Sequence, residues 1–154
     1  MPGEFQGFKA VLEQMWRKLY QDRKERMAGI KQPVYREIKK YKYQLVEPYT
    51  HQLPEVFEGY TAGTEWINLL NTYLTAWKGY SWDGATGAFD TKTIFRGALI
   101  HDILYQLIRI GCLPKEFRIE ADRELRRICI EDGMGRFRAW YVYFAVRKFG
   151  GLNI

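Results

Sequence analysis

The chain has 154 residues, 47% hydrophobic and 16% aromatic, which is enough to bury the core of one domain. No apolar run approaches the roughly 20 residues that cross a bilayer, and Glu4, Lys9 and Glu13 interrupt any signal-peptide core. The two cysteines, Cys112 and Cys129, exclude a disulfide scaffold and a paired-cysteine zinc site, which favours a reducing compartment.

The net charge of +6 is concentrated in residues 1–42. This segment carries eleven Lys/Arg and five Asp/Glu, whereas the rest of the chain carries thirteen of each. A local basic segment indicates an acidic partner, which would be nucleic acid, an acidic membrane surface or an acidic protein face. The alternative is a solvated helix face without a partner.

Residues 4–28 are predicted to form one amphipathic helix, because apolar residues recur there at steps of three and four while basic residues occupy the other side. Gly29 would end this helix. Residues 1–30 are therefore predicted to be a docking extension and residues 31–154 a single α+β domain. The extension would dock on its own domain, on a partner or on a membrane surface. The residues predicted to bind a partner are Phe5, Phe8, Leu12, Trp16, Arg17, Lys18, Arg23 and Lys24.

The next part of the chain is predicted to form a small antiparallel β-meander. Residues 30–40 are interpreted as a connector, and Pro48, Pro54 and Gly59 indicate a loop that contains His51 as a surface residue. Asn71 is predicted to form the turn between two of the strands. The predicted strands, in which large apolar and β-favouring residues prevail, are 41–46, 64–70 and 72–82.

Three helices are predicted to follow, at residues 91–110, 115–130 and 136–149, with Gly111, Gly133 and Gly150 at their ends. The third helix is apolar on most sides, which predicts that it is the central helix of the domain. The fold class is therefore α+β: an N-terminal amphipathic helix, a small antiparallel meander and a three-helix C-terminal half.

Four polar residues are predicted to cluster where the meander joins the helices: Asp83, His101, Asp102 and Asp122. Asp102 points at a mostly apolar side of its helix, where a carboxylate needs a partner. Three carboxylates and one imidazole would suit a divalent metal (Mg, Mn or Zn), and a metal-bound water would permit hydrolysis. In that hypothesis all four residues are metal ligands, and His101, Asp102 and Asp83 are catalytic.

The same residues also have a purely structural interpretation. Asp83 would accept hydrogen bonds from backbone N–H groups of its own turn or of the start of the following helix. His101 would bond to Asp122 or to a backbone carbonyl, and Asp102 would pair with Arg118 or Arg126. Such a buried polar network would lock the helices to the sheet without any chemistry. No phosphate-binding glycine loop, nucleophile-elbow serine or paired-cysteine motif accompanies the cluster.

Four motifs in order resemble one known family. They are Gly-Tyr-Ser-Trp-Asp-Gly-Ala-Thr at 79–86, His-Asp-Ile-Leu-Tyr at 101–105, Glu-Ala-Asp-Arg at 120–123 and Tyr-Phe-Ala-Val-Arg-Lys-Phe-Gly at 143–150. Together they resemble the bacteriophage and prophage family catalogued as domain of unknown function 1353. Thr86 stands where that family usually has Ser, and the Ile-Pro that follows there is absent. The family's marked positions fall on Asp83, Ala85, His101, Asp102, Tyr105 and Asp122.

The resemblance implies a bacteriophage or prophage origin but no activity. Together with the local charge of +6 and the absence of a complete catalytic motif, this origin predicts an accessory or virion-associated protein that acts through contacts with a phage or host protein, in the host cytoplasm during infection or in the virion. Nucleic acid or an acidic membrane surface would be the alternative partner of residues 1–42. A small metal-dependent hydrolase that uses Asp83, His101, Asp102 and Asp122 is the alternative function.

Overall fold

A computed structural model describes residues 14–15, 17–18, 21–22, 25, 28–39, 42–84 and 92–150. The chain divides into two compact units, residues 1–31 and 32–154. In the first unit the described residues between 14 and 28 have helical conformation and exposed side chains, and Gln21 Nε2 donates to Glu25 Oε1 across one turn at 3.2 Å. The rest of the predicted helix 4–28 lies outside the described residues.

The second unit contains two antiparallel sheets followed by three helices, which confirms the α+β class. The elements with defined bounds begin with a strand, so the predicted order with a leading helix is not matched. One sheet has the order β1-β2-β7 and the other β3-β6-β5-β4. The strands are β1 (Tyr35–Lys39), β2 (Lys42–Leu45), β3 (Tyr49–Gln52), β4 (Thr61–Gly63), β5 (Ile67–Leu70), β6 (Tyr73–Ala76) and β7 (Ser81–Asp83).

The prediction of one meander is therefore wrong, and Gly79 shows why. The predicted strand 72–82 is two strands, β6 and β7, which belong to different sheets. Between them Gly79 has φ +97°, and a Cβ there would lie 2.6 Å from Cζ3 of Trp66. Only glycine fits at this position, where the chain passes from one sheet to the other. The predicted turn at Asn71, in contrast, is confirmed, because Asn71 adopts φ 53° between β5 and β6.

Two predicted non-strand segments contain strands. β1 lies in the predicted connector, and its side chains are exposed from Arg36 to Lys39. The sequence there has no alternation of apolar and polar residues that would predict a strand. β3 lies in the predicted loop and pairs with β6. In β3, Tyr49 and His51 are buried on one face. The interpretation of His51 as a surface loop residue is thus wrong.

The helices are α1 (Lys92–Arg109), α2 (Arg118–Glu131) and α3 (Arg136–Phe149), and a 3-10 turn (Lys115–Phe117) precedes α2. These bounds agree with the prediction within three residues. No helix among the described residues is long and apolar enough to cross a membrane.

The central helix is α1, not α3. Its side chains from Ile94 to Ile108 are largely buried, and Leu99, Ile103, Leu104 and Leu107 are fully so. On α3 only Ala139 and Val142 are buried. The predicted central position of α3 is wrong because its large aromatic residues lie on the outside, a side that composition alone does not reveal.

Candidate functional site

The centre of the helical half is the contact between His101 on α1 and Asp122 on α2. His101 Nε2 lies 2.7 Å from Asp122 Oδ1, and Tyr105 donates its hydroxyl proton to the same oxygen at 2.7 Å. His101 and Tyr105 are four residues apart and share one face of α1, so both reach the same carboxylate. The Asp122 side chain is fully buried. The predicted bond between His101 and Asp122 is therefore confirmed.

Two arginines extend this contact to α3. Arg147 on α3 donates from Nη1 to Asp122 Oδ2 at 3.0 Å. Arg118 donates from Nε to the Tyr105 hydroxyl at 3.2 Å and from Nη2 to the carbonyl oxygen of Arg147 at 2.7 Å. We call these five residues, His101, Tyr105, Arg118, Asp122 and Arg147, the His101–Asp122 network. It connects all three helices through buried, charge-assisted hydrogen bonds.

The charges of the network are set by these contacts. Burial is the largest influence on the pKa of His101 and acts to lower it, but the hydrogen bonds and negative charges of Asp102 and Asp122 outweigh burial and raise it. Burial likewise acts to raise the pKa of Asp122, but the hydrogen bonds from His101, Tyr105 and Arg147 together lower it. Both shifts favour the charged pair, an imidazolium facing a carboxylate.

A cavity of about 720 Å³ lies beside the network, between β7, α1 and α3. Asp102 lines it, with a side chain that is 37% exposed and a carboxylate oxygen 4.0 Å from His101 Nδ1. Burial raises the pKa of Asp102 against the lowering effect of His101. The lining residues are Lys42, Tyr80, Ser81, Trp82, Asp83, Gly84, Ile94, Ala98, His101, Asp102, Tyr105, Gln106, Arg109, Leu125, Tyr141, Val142, Ala145, Val146, Phe149 and Gly150.

Asp83 lines the same cavity as His101 and Asp102, but its side chain pairs with a lysine. Lys42 and Asp83 are directly opposite in the β2–β7 pair, and their side chains form an exposed ion pair at 3.4 Å. The predicted bonds of Asp83 to its own turn fall mostly on residues 85–91, which lie outside the described residues. The predicted pairing of Asp102 with Arg118 or Arg126 is wrong. Arg118 donates to the Tyr105 hydroxyl, and the buried Arg126 Nε has no hydrogen-bond partner among the described residues.

The four predicted metal ligands do not converge. Within the described ranges, no group of three His, Cys, Asp or Glu residues is arranged to hold a metal ion. His101 Nε2 faces Asp122, and Asp83 faces Lys42. The cavity thus gathers Asp83, His101 and Asp102, while Asp122 lies behind His101.

The structure contains a second histidine–carboxylate pair, between β3 and α2, which the sequence did not predict. His51 Nε2 lies 2.7 Å from Glu124 Oε1, and both side chains are buried. Arg127 donates from Nε to Glu124 Oε2 at 2.7 Å and also pairs with Glu131. The positive Arg127 and its hydrogen bonds lower the pKa of Glu124 despite the opposing effect of burial, which is the largest. The alternation of Tyr49 and His51 in one strand was the signal available.

Arg96 forms a third buried ionic contact. Its side chain on α1 is 4% exposed and contacts Asp132 at 3.0 Å and Glu131 at 2.8 Å. Gln32 donates to Asp132 at 2.9 Å. These bonds fix the end of α2 against α1, which is a structural role.

The outer face of α3 is the largest departure from expectation. Phe137, Trp140 and Phe144 are 82%, 48% and 52% exposed. Their rings stack in a row, with centroids 6.3 Å and 5.7 Å apart and planes within 29° and 19° of each other. We call these three residues the aromatic row. Exposed apolar surface of this kind typically marks an interaction site.

The predicted partner-binding residues lie mostly outside the described residues. Of the eight, Arg17 and Lys18 are described, and both are helical and exposed. Phe5, Phe8, Leu12, Trp16, Arg23 and Lys24 are not among the described residues, and neither is Ala85. Comparison of the chain with protein-family models, with curated proteins and with solved structures finds no match.

Proposed function

We propose that this chain is a bacteriophage-encoded accessory or virion-associated protein that acts through protein–protein contacts. One observation carries the binding role: α3 exposes Phe137, Trp140 and Phe144, whereas its only buried residues are Ala139 and Val142. A helix with small residues inside and aromatic residues outside leaves apolar surface in water, a cost that a partner would remove. Aromatic residues are also the ones enriched at the energetic centres of interfaces.

The His101–Asp122 network supports this proposal because its hydrogen bonds join three helices. Asp122 accepts three hydrogen bonds, from His101, Tyr105 and Arg147, which reach it from two different helices. Both of its oxygens are thus bonded within the protein. A buried network of this kind supports a structural role, which holds α3 in the orientation that exposes the aromatic row.

The phage origin in the proposal is supported by the four-motif resemblance alone. A host-cytoplasmic or virion location follows from that origin and from nothing else in the chain. The basic residues of the N-terminal segment are a second candidate contact surface, represented among the described residues by Arg17 and Lys18.

The test compares three tagged forms of the full chain in the cell that produces it: wild type, a deletion of residues 1–30, and Phe137→Ser/Trp140→Ser/Phe144→Ser. We expect a specific partner protein to be recovered with wild type and lost with the triple variant, while both melt cooperatively. Loss with the deletion alone would place the contact on the N-terminal segment. Recovery of the same proteins with all three forms would refute the proposal.

A hydrolase is the second candidate, and the cavity beside His101 and Asp102 favours it. A volume of about 720 Å³ falls within the range of small-molecule sites, and Asp102 with its raised pKa is a candidate general acid. In its metal-dependent form this hypothesis predicts that Mg, Mn or Zn raises the melting temperature and that Asp102→Asn removes the effect. An unchanged melting temperature with every metal would refute that form.

A further inference from the structure

We propose that the aromatic row of α3 is the docking surface for an acidic amphipathic helix of a partner protein. The inference rests on the proposed function and adds the chemistry of the partner. Its basis is the combination, on one exposed helix face, of a continuous apolar ridge and a cation at each end.

The ridge has the spacing that another helix can match. Phe137, Trp140 and Phe144 are at positions i, i+3 and i+7, so the row extends over roughly 10 Å of the helix axis. The stacked rings form one unbroken apolar surface, since adjacent centroids are 5.7–6.3 Å apart. A partner helix with its own apolar residues at i, i+3, i+4 and i+7 packs along such a ridge.

The positive charge of α3 favours an acidic partner. The helix contains four Arg/Lys residues and no Asp or Glu. Arg136 and Lys148 are exposed at opposite ends of the row, roughly 18 Å apart along the axis. In the described part of the chain, neither of them forms an ion pair with a carboxylate. Carboxylates on a partner helix would complement both cations.

The same charges disfavour a second copy of this chain as the occupant. A two-fold contact through the aromatic row would place α3 against α3, so that the cations at the ends of one row, Arg136 and Lys148, meet those of the other. Arg136 would face either Arg136 or Lys148 of the other copy, and no acidic residue on either helix would compensate. Like charges in an interface oppose association.

The geometry of the rings disfavours single-stranded nucleic acid. A base that inserts between two rings needs two van der Waals separations, about 7 Å. The ring centroids are closer than that, at 6.3 Å and 5.7 Å. A base could therefore not insert between adjacent rings without moving their side chains.

The experiment measures binding of two synthetic helical peptides of about 18 residues to the full chain by NMR titration. Both peptides carry Leu at i, i+3, i+4 and i+7; one has Glu and the other Lys at the flanking positions. We expect the Glu peptide to bind and the Lys peptide to bind more weakly. Trp140→Ser should weaken the Glu peptide at least about tenfold, the effect of removing one aromatic hot spot.

A charge reversal tests the chemistry without disturbing the fold. Arg136→Glu/Lys148→Glu should weaken the Glu peptide roughly fivefold and strengthen the Lys peptide. Lys78→Glu/Lys115→Glu, which changes two exposed cations away from α3, is the matched control and should leave both affinities unchanged. Equal binding of both peptides to every variant would overturn the proposal.

Other occupants are outcomes of the same set of measurements. Tighter binding of a dT oligonucleotide than of the Glu peptide, lost in Trp140→Ser, would overturn the inference in favour of nucleic acid. Dimerisation in analytical ultracentrifugation, lost in the same variant, would overturn it in favour of a second copy. In a further outcome the Glu peptide shows no binding while Phe137→Ser/Trp140→Ser/Phe144→Ser still loses the protein that wild type recovers from the cell. That result would refute an acidic helix as the occupant and would leave the proposed function standing.

Discussion

Helices α1 and α3 are both rich in apolar residues, yet the fold treats them in opposite ways. On α1 nearly every apolar side chain is buried, and the helix packs against α2 and β7. On α3 the aromatic row is exposed, and the helix packs against α2. The difference shows that an apolar helix without a polar face can be buried in two ways. Either its own domain covers its whole apolar surface, or part of that surface stays exposed for a partner to cover.

The two helices also differ in the polar groups that they bury. His101 of α1 and Asp122 of α2 are deep in the structure because their charges neutralise one another. Arg147, which lies at 33% exposure on the inner side of α3, completes the network. The inner side of α3 is thus held by hydrogen bonds and small apolar residues, while its large apolar residues contribute little to the domain.

The largest expected effect is a difference in stability between matched truncations on the two helices. Leu104→Ala on α1 removes a fully buried side chain and should lower the free energy of unfolding by about 3 kcal/mol. Phe144→Ala on α3 removes a side chain that is 52% exposed, and we expect a loss of less than about 1 kcal/mol. Urea unfolding measures both. Similar losses would mean that α3 is as much a core helix as α1.

The next largest effect is the difference in stability loss between substitutions of two predicted site residues, Asp122 and Asp83. Asp122→Asn leaves the buried His101 and the half-buried Arg147 without a full countercharge, so we expect destabilisation of about 3 kcal/mol. Asp83→Asn breaks an exposed pair with Lys42 and should cost less than about 0.5 kcal/mol. A large loss in Asp83→Asn would show that Asp83 belongs to the junction after all.

The smallest effect in this series is a pH dependence. Because the pKa of His101 is raised in the folded state, its stabilising contribution is fully present below the unfolded pKa, near 6.5, and is lost as the pH rises through the folded value. The pKa of Asp122 is lowered, so its contribution is lost only as the pH falls through its folded value. The difference in unfolding free energy between wild type and His101→Gln should therefore shrink at alkaline pH. A difference that grows with pH would contradict the ion pair.

Much of the fold could be predicted from the sequence, because local signals determine it. Gly111 and Gly133 follow α1 and α2 and adopt φ 79° and 98°, as helix-ending glycines do. The strand β3 was missed since Pro48 and Pro54 flank it and resemble loop signals. The separation into two sheets depends on which strands pair, and pairing between β2 and β7 joins residues about forty positions apart.

The candidate site was predictable in part for the same reason. The His101–Asp122 contact follows from helix periodicity and from the need of a buried carboxylate for partners. The Lys42–Asp83 pair depends on strand register, and the His51–Glu124 pair joins a strand to a helix, so neither is visible in local spacing. The exposure of the aromatic row was missed because amino-acid composition does not tell which side of a helix is covered.

Hydroxyl-radical footprinting of the full chain, alone and with the partner bound, tests the role of α3 most directly. In the isolated chain Phe137 and Trp140 should be oxidised readily, whereas the buried Trp82 and Met134 should not. With the partner bound, Phe137 and Trp140 should be protected while Tyr73, which is 55% exposed on β6, stays reactive. Protection of Phe137 and Trp140 in the isolated chain, or equal oxidation with and without the partner, would contradict the account.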